Sequence, residues 1–175
     1  MVADFQQELL GWFAGRVPDD WFLDLPEVSF DREEILVIGV LSEPRIPADA
    51  SDELRSAALR SRIDQFREET RDRRTRMADE AQQLFGRQVS WGVNCGGYRK
   101  LFTNLSVPVM TRLRMPERRT LDTLIDSGVA RSRSDALAWC VRLVARNQSE
   151  WLDELRDALI RVERIRAEGP NPDFE

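Results

Sequence analysis

The stretch Val107-Pro108-Val109-Met110-Thr111-Arg112-Leu113-Arg114-Met115-Pro116 alternates: Val107, Val109, Thr111, Leu113 and Met115 are apolar or β-branched, while Met110, Arg112 and Arg114 fill the intervening places. Successive side chains of a strand point to opposite faces, so this period predicts one packing face and one outward face. Pro116 suits the first turn of a helix, because its missing N–H is one the helix leaves unused there. Leu121, Leu124 and Ile125 supply that helix with a buried stripe, and Ser127-Gly128 ends it with a residue that tolerates positive φ.

Further on, Ser132-Arg133-Ser134-Asp135 places a hydroxyl three residues before a carboxylate, a capping box that opens the next helix. Its body is Ala136-Leu137-Ala138-Trp139-Cys140-Val141-Arg142-Leu143-Val144-Ala145, in which Arg142 alone is polar. A helix apolar around nearly its whole circumference leaves too much area in water on so small a module, so it calls for a partner chain. The strand before it has a matching need, since an isolated strand leaves its hydrogen-bonding edges open. Two copies pairing as an antiparallel ribbon answer both. Leu113, Leu121, Leu124, Leu137, Trp139, Cys140, Val141 and Val144 are then the expected dimer core.

Met110 through Pro116, Leu121 through Gly128, and Arg131 through Leu137 together resemble the ribbon-helix-helix family of DNA-binding proteins, the Arc and MetJ type. The resemblance covers roughly a quarter of the chain, and the block from Leu121 through Leu137 is its most specific part. It implies a two-stranded ribbon in the major groove, with Met110, Arg112 and Arg114 of both copies reading base edges. Arginine can donate bidentately to guanine O6 and N7, worth about 1–3 kcal/mol of discrimination per good pair. The family's phosphate clamp falls at the start of the second helix, on Arg131, Ser132, Arg133 and Ser134, at the positive end of a helix dipole.

Upstream, Phe5, Leu9, Leu10, Trp12 and Phe13 predict a short amphipathic helix that Pro18 ends. The run from Ile35 to Leu41 predicts a buried strand, and Ile63, Phe66, Met77, Ala81 and Leu84 predict one long helix from Asp52 to Phe85. Val89, Trp91 and Val93 alternate as in a half-buried strand, and Cys95-Gly96-Gly97 makes a turn. Downstream, Trp151, Leu152, Leu155, Leu159, Val162 and Ile165 stripe a last helix closed by Gly169-Pro170.

The expected fold is therefore α+β. An N-terminal α/β domain over 1–103 (helix, strand, long helix, strand) serves sensing or interaction. A dimeric ribbon-helix-helix follows over 104–148, then an amphipathic helix over 149–168 and a frayed tail over 169–175.

Composition narrows the function. The chain has no histidine, which removes the commonest metal ligand and general base, and no carboxylate pair or nucleophile constellation replaces it. No catalytic residue, metal or cofactor is expected. Cys95 and Cys140 share no metal or redox spacing; Cys140 reads as a core residue, and Cys95 has neither the basic activator nor the second thiol of a redox sensor near it. Net charge is −5, which taken alone argues against a nucleic-acid binder, yet between residues 107 and 148 eight arginines face four carboxylates. Lys100 is the sole lysine, an arginine bias that reads first as a GC-rich bacterial genome. The arginines between 67 and 76 interleave with Glu68, Glu69 and Asp72 as a solvated helix face.

No run approaches the roughly 18 apolar residues of a membrane span. The acidic, amphipathic start lacks the basic opening of a signal peptide, so a cytoplasmic, nucleoid-associated location is expected. The sequence thus points to a homodimeric transcriptional regulator, a repressor that binds double-stranded DNA. It could assemble further on tandem sites, with an unknown protein or ligand at the N-terminal domain. Two other functions fit parts of the pattern: an antitoxin that represses its own operon, and an assembly scaffold whose ribbon serves dimerisation alone.

Overall fold

Between a first helix, α1 (Val2–Ala14), and the C-terminal third of the chain lies one four-stranded sheet: β1 (Glu27–Phe30), β2 (Glu34–Val40), β3 (Gln88–Cys95) and β4 (Tyr98–Leu101), in that spatial order. The structure, a computed structural model, describes residues 2–169. It resolves two compact units, Asp4–Val107 and a second that starts at Pro108. Nearly all of the tail expected to fray, 169–175, lies outside the described residues.

In the first unit, β1 and β2 form an antiparallel hairpin, β2 and β3 run parallel, and β3 and β4 form a second hairpin. Parallel neighbours need a long crossover, and α2 (Asp52–Glu69) with α3 (Arg71–Phe85) provides it. Pairing Val28 with Val37, and Val37 with Trp91, aligns one face of the sheet. Against that face pack Leu9 and Phe13 of α1, Leu59, Ile63 and Phe66 of α2, and Met77 and Ala81 of α3. Phe13 meets Trp91 edge-on, centroids 5.8 Å apart.

Gly39 is where β2 must lack a side chain, because a Cβ there would sit 2.2 Å from the Phe22 ring. Gly96 and Gly97, both at positive φ (57° and 79°), make the two-residue turn between Cys95 and Tyr98.

The expected order of helix, strand, long helix, strand is corrected at three points. The sheet has two more strands, β1 and β4. Four-residue strands, one of them Tyr-Arg-Lys-Leu, carry too little alternation to register as a pattern. The strand after the crossover is not half-buried, since Ser90, Trp91, Gly92 and Val93 are all buried in a central position between β2 and β4.

The long helix is bent at Thr70, which separates α2 from α3. Thr70 Oγ1 donates to Phe66 O at 2.6 Å, a back-bond to the previous turn that bends helices. Arg74 follows into the bend: its Nε donates to Thr70 Oγ1 at 2.9 Å and its Nη2 to Arg67 O at 2.7 Å, with the guanidinium 4.7 Å from the Phe102 ring centre. Burial lowers its pKa to about 10, so it remains a cation at neutral pH.

The second unit contains α4 (Met115–Asp126), α5 (Arg133–Asn147) and α6 (Ser149–Glu168). Its core is small. Leu121, Ala130 and Ala136 are buried, with Leu113, Leu124, Ile125, Leu137 and Cys140 partly buried around them. Residues 103–114 form no strand within one chain. A strand needs a second edge, and none of the described residues supplies one to this segment. No described helix is long and apolar enough to cross a membrane.

Candidate nucleic-acid interface

The segment ahead of α4 reaches the helix in extended conformation, with Arg114 at φ −82° and ψ 175°, and Pro116 lies in the first turn. Arg118 ties the junction from the helix side: its N–H donates to Arg114 O at 3.1 Å and its Nη1 to Leu113 O at 2.7 Å. Leu113 is turned in and half-buried on the Leu121 cluster, while Arg112 and Arg114 on either side are exposed. Among the described residues no carboxylate lies within 4.0 Å of Arg112, Arg114 or Arg131. Met110 is 96% exposed, but so is much of Val109, at 84%. Both, with Thr111 and Leu113, border an open cleft of about 330 Å³ whose other walls are Arg118, Leu121, Arg133, Ser134 and Leu137. Alternation therefore holds at Leu113, and nothing within one chain imposes it farther upstream.

At the start of α5, Ser132 is the N-cap and its Oγ accepts from Asp135 N at 3.2 Å. Asp135 returns the bond one residue earlier than a standard capping box, accepting from Arg131 N at 3.0 Å. The N–H groups of Arg133 and Ser134 are first-turn donors, which a helix cannot satisfy by itself.

Arg133 is engaged elsewhere: its Nε and Nη2 each donate to one oxygen of Asp122 at 2.8 Å. The Arg133 hydrogen bond holds the Asp122 carboxyl below the usual carboxylate range, and Asp122 in turn raises Arg133. Of the four residues assigned to a phosphate clamp, then, Ser132 caps a helix and Arg133 latches α5 to α4. Arg131 and Ser134 remain exposed.

Of the expected dimer core, Leu121 is buried within the chain, and Leu113, Leu124, Leu137, Trp139 and Cys140 are half-buried. Val141 and Val144 are 62% and 50% exposed, and α5 buries only Ala136. Sequence reasoning missed the roles of Arg118 and of Asp122. An arginine that folds back onto a carbonyl five residues earlier, and a pair eleven residues apart, have no periodic signature.

The first unit offers a smaller recess of about 210 Å³ between Val17, Pro18, Phe22, Leu23 and Leu25, below the range of small-molecule sites. Cys95 is fully buried, with Sγ 3.8 Å from Ser42 O, and burial pushes its thiol pKa up. That environment suits a packing residue rather than a reactive thiolate. Among the described residues, no group of three or more cysteine or acidic side chains is placed to hold a metal.

Fold and site together define a two-unit α+β protein: a mixed sheet under a bent helical crossover, then three helices entered through an unpaired arginine-bearing segment. Family models divide the chain in the same way, with "Rv1265-like protein, N-terminal domain" matching residues 7–101 and "Mb1296 C-terminal domain" matching 114–166. The chain belongs to this Rv1265-like family. It is 57% identical over 161 residues to Rv1265 of Mycobacterium tuberculosis (strain ATCC 25618 / H37Rv), a match spanning 91% of this chain and 69% of the relative. Mb1296 of Mycobacterium bovis matches with the same identity and coverage. No solved structure matches the chain.

Proposed function

We propose that the chain is a dimeric ribbon-helix-helix regulator that binds duplex DNA at the nucleoid and represses transcription. One observation carries the reading: the extended, unpaired segment ahead of α4 borders an open cleft with apolar walls at Val109, Met110, Leu113, Leu121 and Leu137. A second copy's segment and α5 fit that description, supplying a strand edge and covering the side chains of α5 that one chain leaves in water. Arg112 and Arg114, exposed on either side of the anchored Leu113, then face the major groove from both copies. Arg131, the Ser134 hydroxyl and the first-turn N–H groups of α5 contact the phosphates. The N-terminal unit, with its closed core, serves as a sensing or protein-interaction module.

The test is a gel shift on the protein's own promoter region, comparing wild type with an Arg112→Ala, Arg114→Ala double variant across a salt series. Specific binding should fall by about 10²-fold or more if each arginine contributes a bidentate contact. Equal affinity with an equal salt slope sinks the proposal.

A further inference from the structure

α6 spans 20 residues and buries none of them. Along it Trp151, Leu155, Ala158, Val162 and Ile165 follow one another at steps of four, three, four and three, the spacing of a coiled-coil seam, on a helix that has no core of its own chain to lie on. Trp151 is 53% exposed, and Leu159 and Ile165 are each 63% exposed, a continuous apolar stripe of the kind that marks an interaction surface. Leu152 and Leu159 flank the seam on one side, and Glu154 and Arg161 flank it on the other. The opposite face carries Asp153, Arg156 and Arg164, with Arg156 paired to Asp153, and one apolar residue, Ile160.

We infer that α6 is a second self-association surface, which pairs antiparallel with α6 of another copy. Charge and size choose this occupant and this direction. With Leu155 opposite Ala158 of the second copy, Trp151 falls opposite Val162, so large side chains meet small ones in every central layer. In the same register Glu154 faces Arg161 of the second copy, twice by symmetry, and Leu152 meets Leu159, also twice. A parallel pair loses both features: it brings Arg161 against Arg166 of the other chain and sets Glu154 beside Leu159. Antiparallel coiled coils match flanking residues of the same heptad position, and parallel ones match unlike positions, so these charges discriminate between the two. The surface is separate from the ribbon and does not rest on DNA reading.

The experiment exchanges the charges in the full chain. Glu154→Arg and Arg161→Glu each place two like-charged pairs across the seam, and each should weaken self-association about tenfold in sedimentation velocity. The double variant restores attraction and should return to the wild-type constant, a recovery that simple unfolding cannot mimic. When tagged Glu154→Arg is mixed with untagged Arg161→Glu, every flanking pair becomes attractive, so co-purification should exceed that of tagged and untagged wild type. The inference is overturned by single variants that associate like wild type, by a double variant as weak as the singles, or by mixing without preference. None of these readouts involves DNA, so the failure of DNA binding and the failure of this surface are separately visible.

Discussion

Arg133 closes both ends of its guanidinium fork on the two oxygens of Asp122 at 2.8 Å, joining the start of α5 to the middle of α4. A bidentate pair of this kind fixes an angle as well as a distance, so it sets the direction in which α5 leaves the turn at Gly128. It also consumes the cation that the sequence offered to phosphate.

The pair has a pH signature. Asp122 is held below its usual range, so its contribution is fully present above the unfolded carboxylate value of about 4 and is lost as pH falls through the lowered folded value. Arg133 is raised from an already high value and stays charged throughout that window. The melting-temperature difference between wild type and Asp122→Asn should therefore be constant near neutrality and shrink below about pH 4. Thermal melts across pH check this, and a difference that persists at acid pH refutes it.

The same substitution bears on the proposed function. Asp122→Asn removes a negative charge and releases Arg133, adding a cation at the start of α5. Affinity for duplex DNA at low salt should rise, and the salt slope should steepen by about one unit. An unchanged slope in a fluorescence-anisotropy titration would mean that this helix start does not approach the backbone.

Arg74 is 7% exposed, and it is held by Thr70 Oγ1, the Arg67 carbonyl and the Phe102 ring. Truncation to alanine strands the Thr70 and Arg67 acceptors and opens a void beside Phe102, at a cost of about 2–3 kcal/mol by urea denaturation. Lysine keeps the charge but cannot reach both acceptors with one planar group, so Arg74→Lys should recover less than half of the loss. Full recovery by lysine would show that charge alone matters at the bend.

Gly39→Ala places a methyl group inside the Phe22 ring. Overpacking of a closed core costs about 1–3 kcal/mol, and the cost should fall sharply in a Phe22→Leu background, where the ring is absent. A double-mutant cycle on unfolding free energies measures the coupling. Additive losses would mean that the strand moves instead.

How much of this could be read from the chain depended on the range of the interaction. The helices of the second unit were legible because their signals are local: Pro116 within the first turn, Ser132 as a cap and Gly128 at positive φ each sit within a few residues of the element they define. Buried β2 declared itself by an apolar run. The bend at Thr70 was hidden, because the apolar steps continue through it and a single hydroxyl does the bending. The β1 and β4 strands were hidden although their hairpin partners are close in sequence, as when Val93 pairs with Lys100, because four residues carry too little alternation to register. At the candidate site, period two placed Leu113 inward between exposed Arg112 and Arg114, but Val109 and Met115, expected on the same packing face, are exposed within one chain, and the capture of Arg133 depended on how α4 and α5 pack.

The last prediction separates the fold of one chain from its association. Within a single chain Val144 is half-exposed and lies outside the small buried cluster, whereas Leu121 is buried in it. Val144→Glu therefore leaves the internal packing of the unit intact and introduces its charge where the proposed second copy is seated. A carboxylate desolvated there without a partner is strongly unfavourable. Leu121→Ala instead removes buried atoms, and a core truncation of this type costs about 2–5 kcal/mol whatever the oligomeric state. Val144→Glu should keep its helical circular dichroism at high protein concentration, yet self-associate more weakly and lose DNA binding in proportion. Leu121→Ala should lose helicity and association together. If Val144→Glu associates like wild type, the face of α5 that carries it points away from any second copy, and the ribbon pairing proposed above must be replaced by one that leaves α5 in solvent.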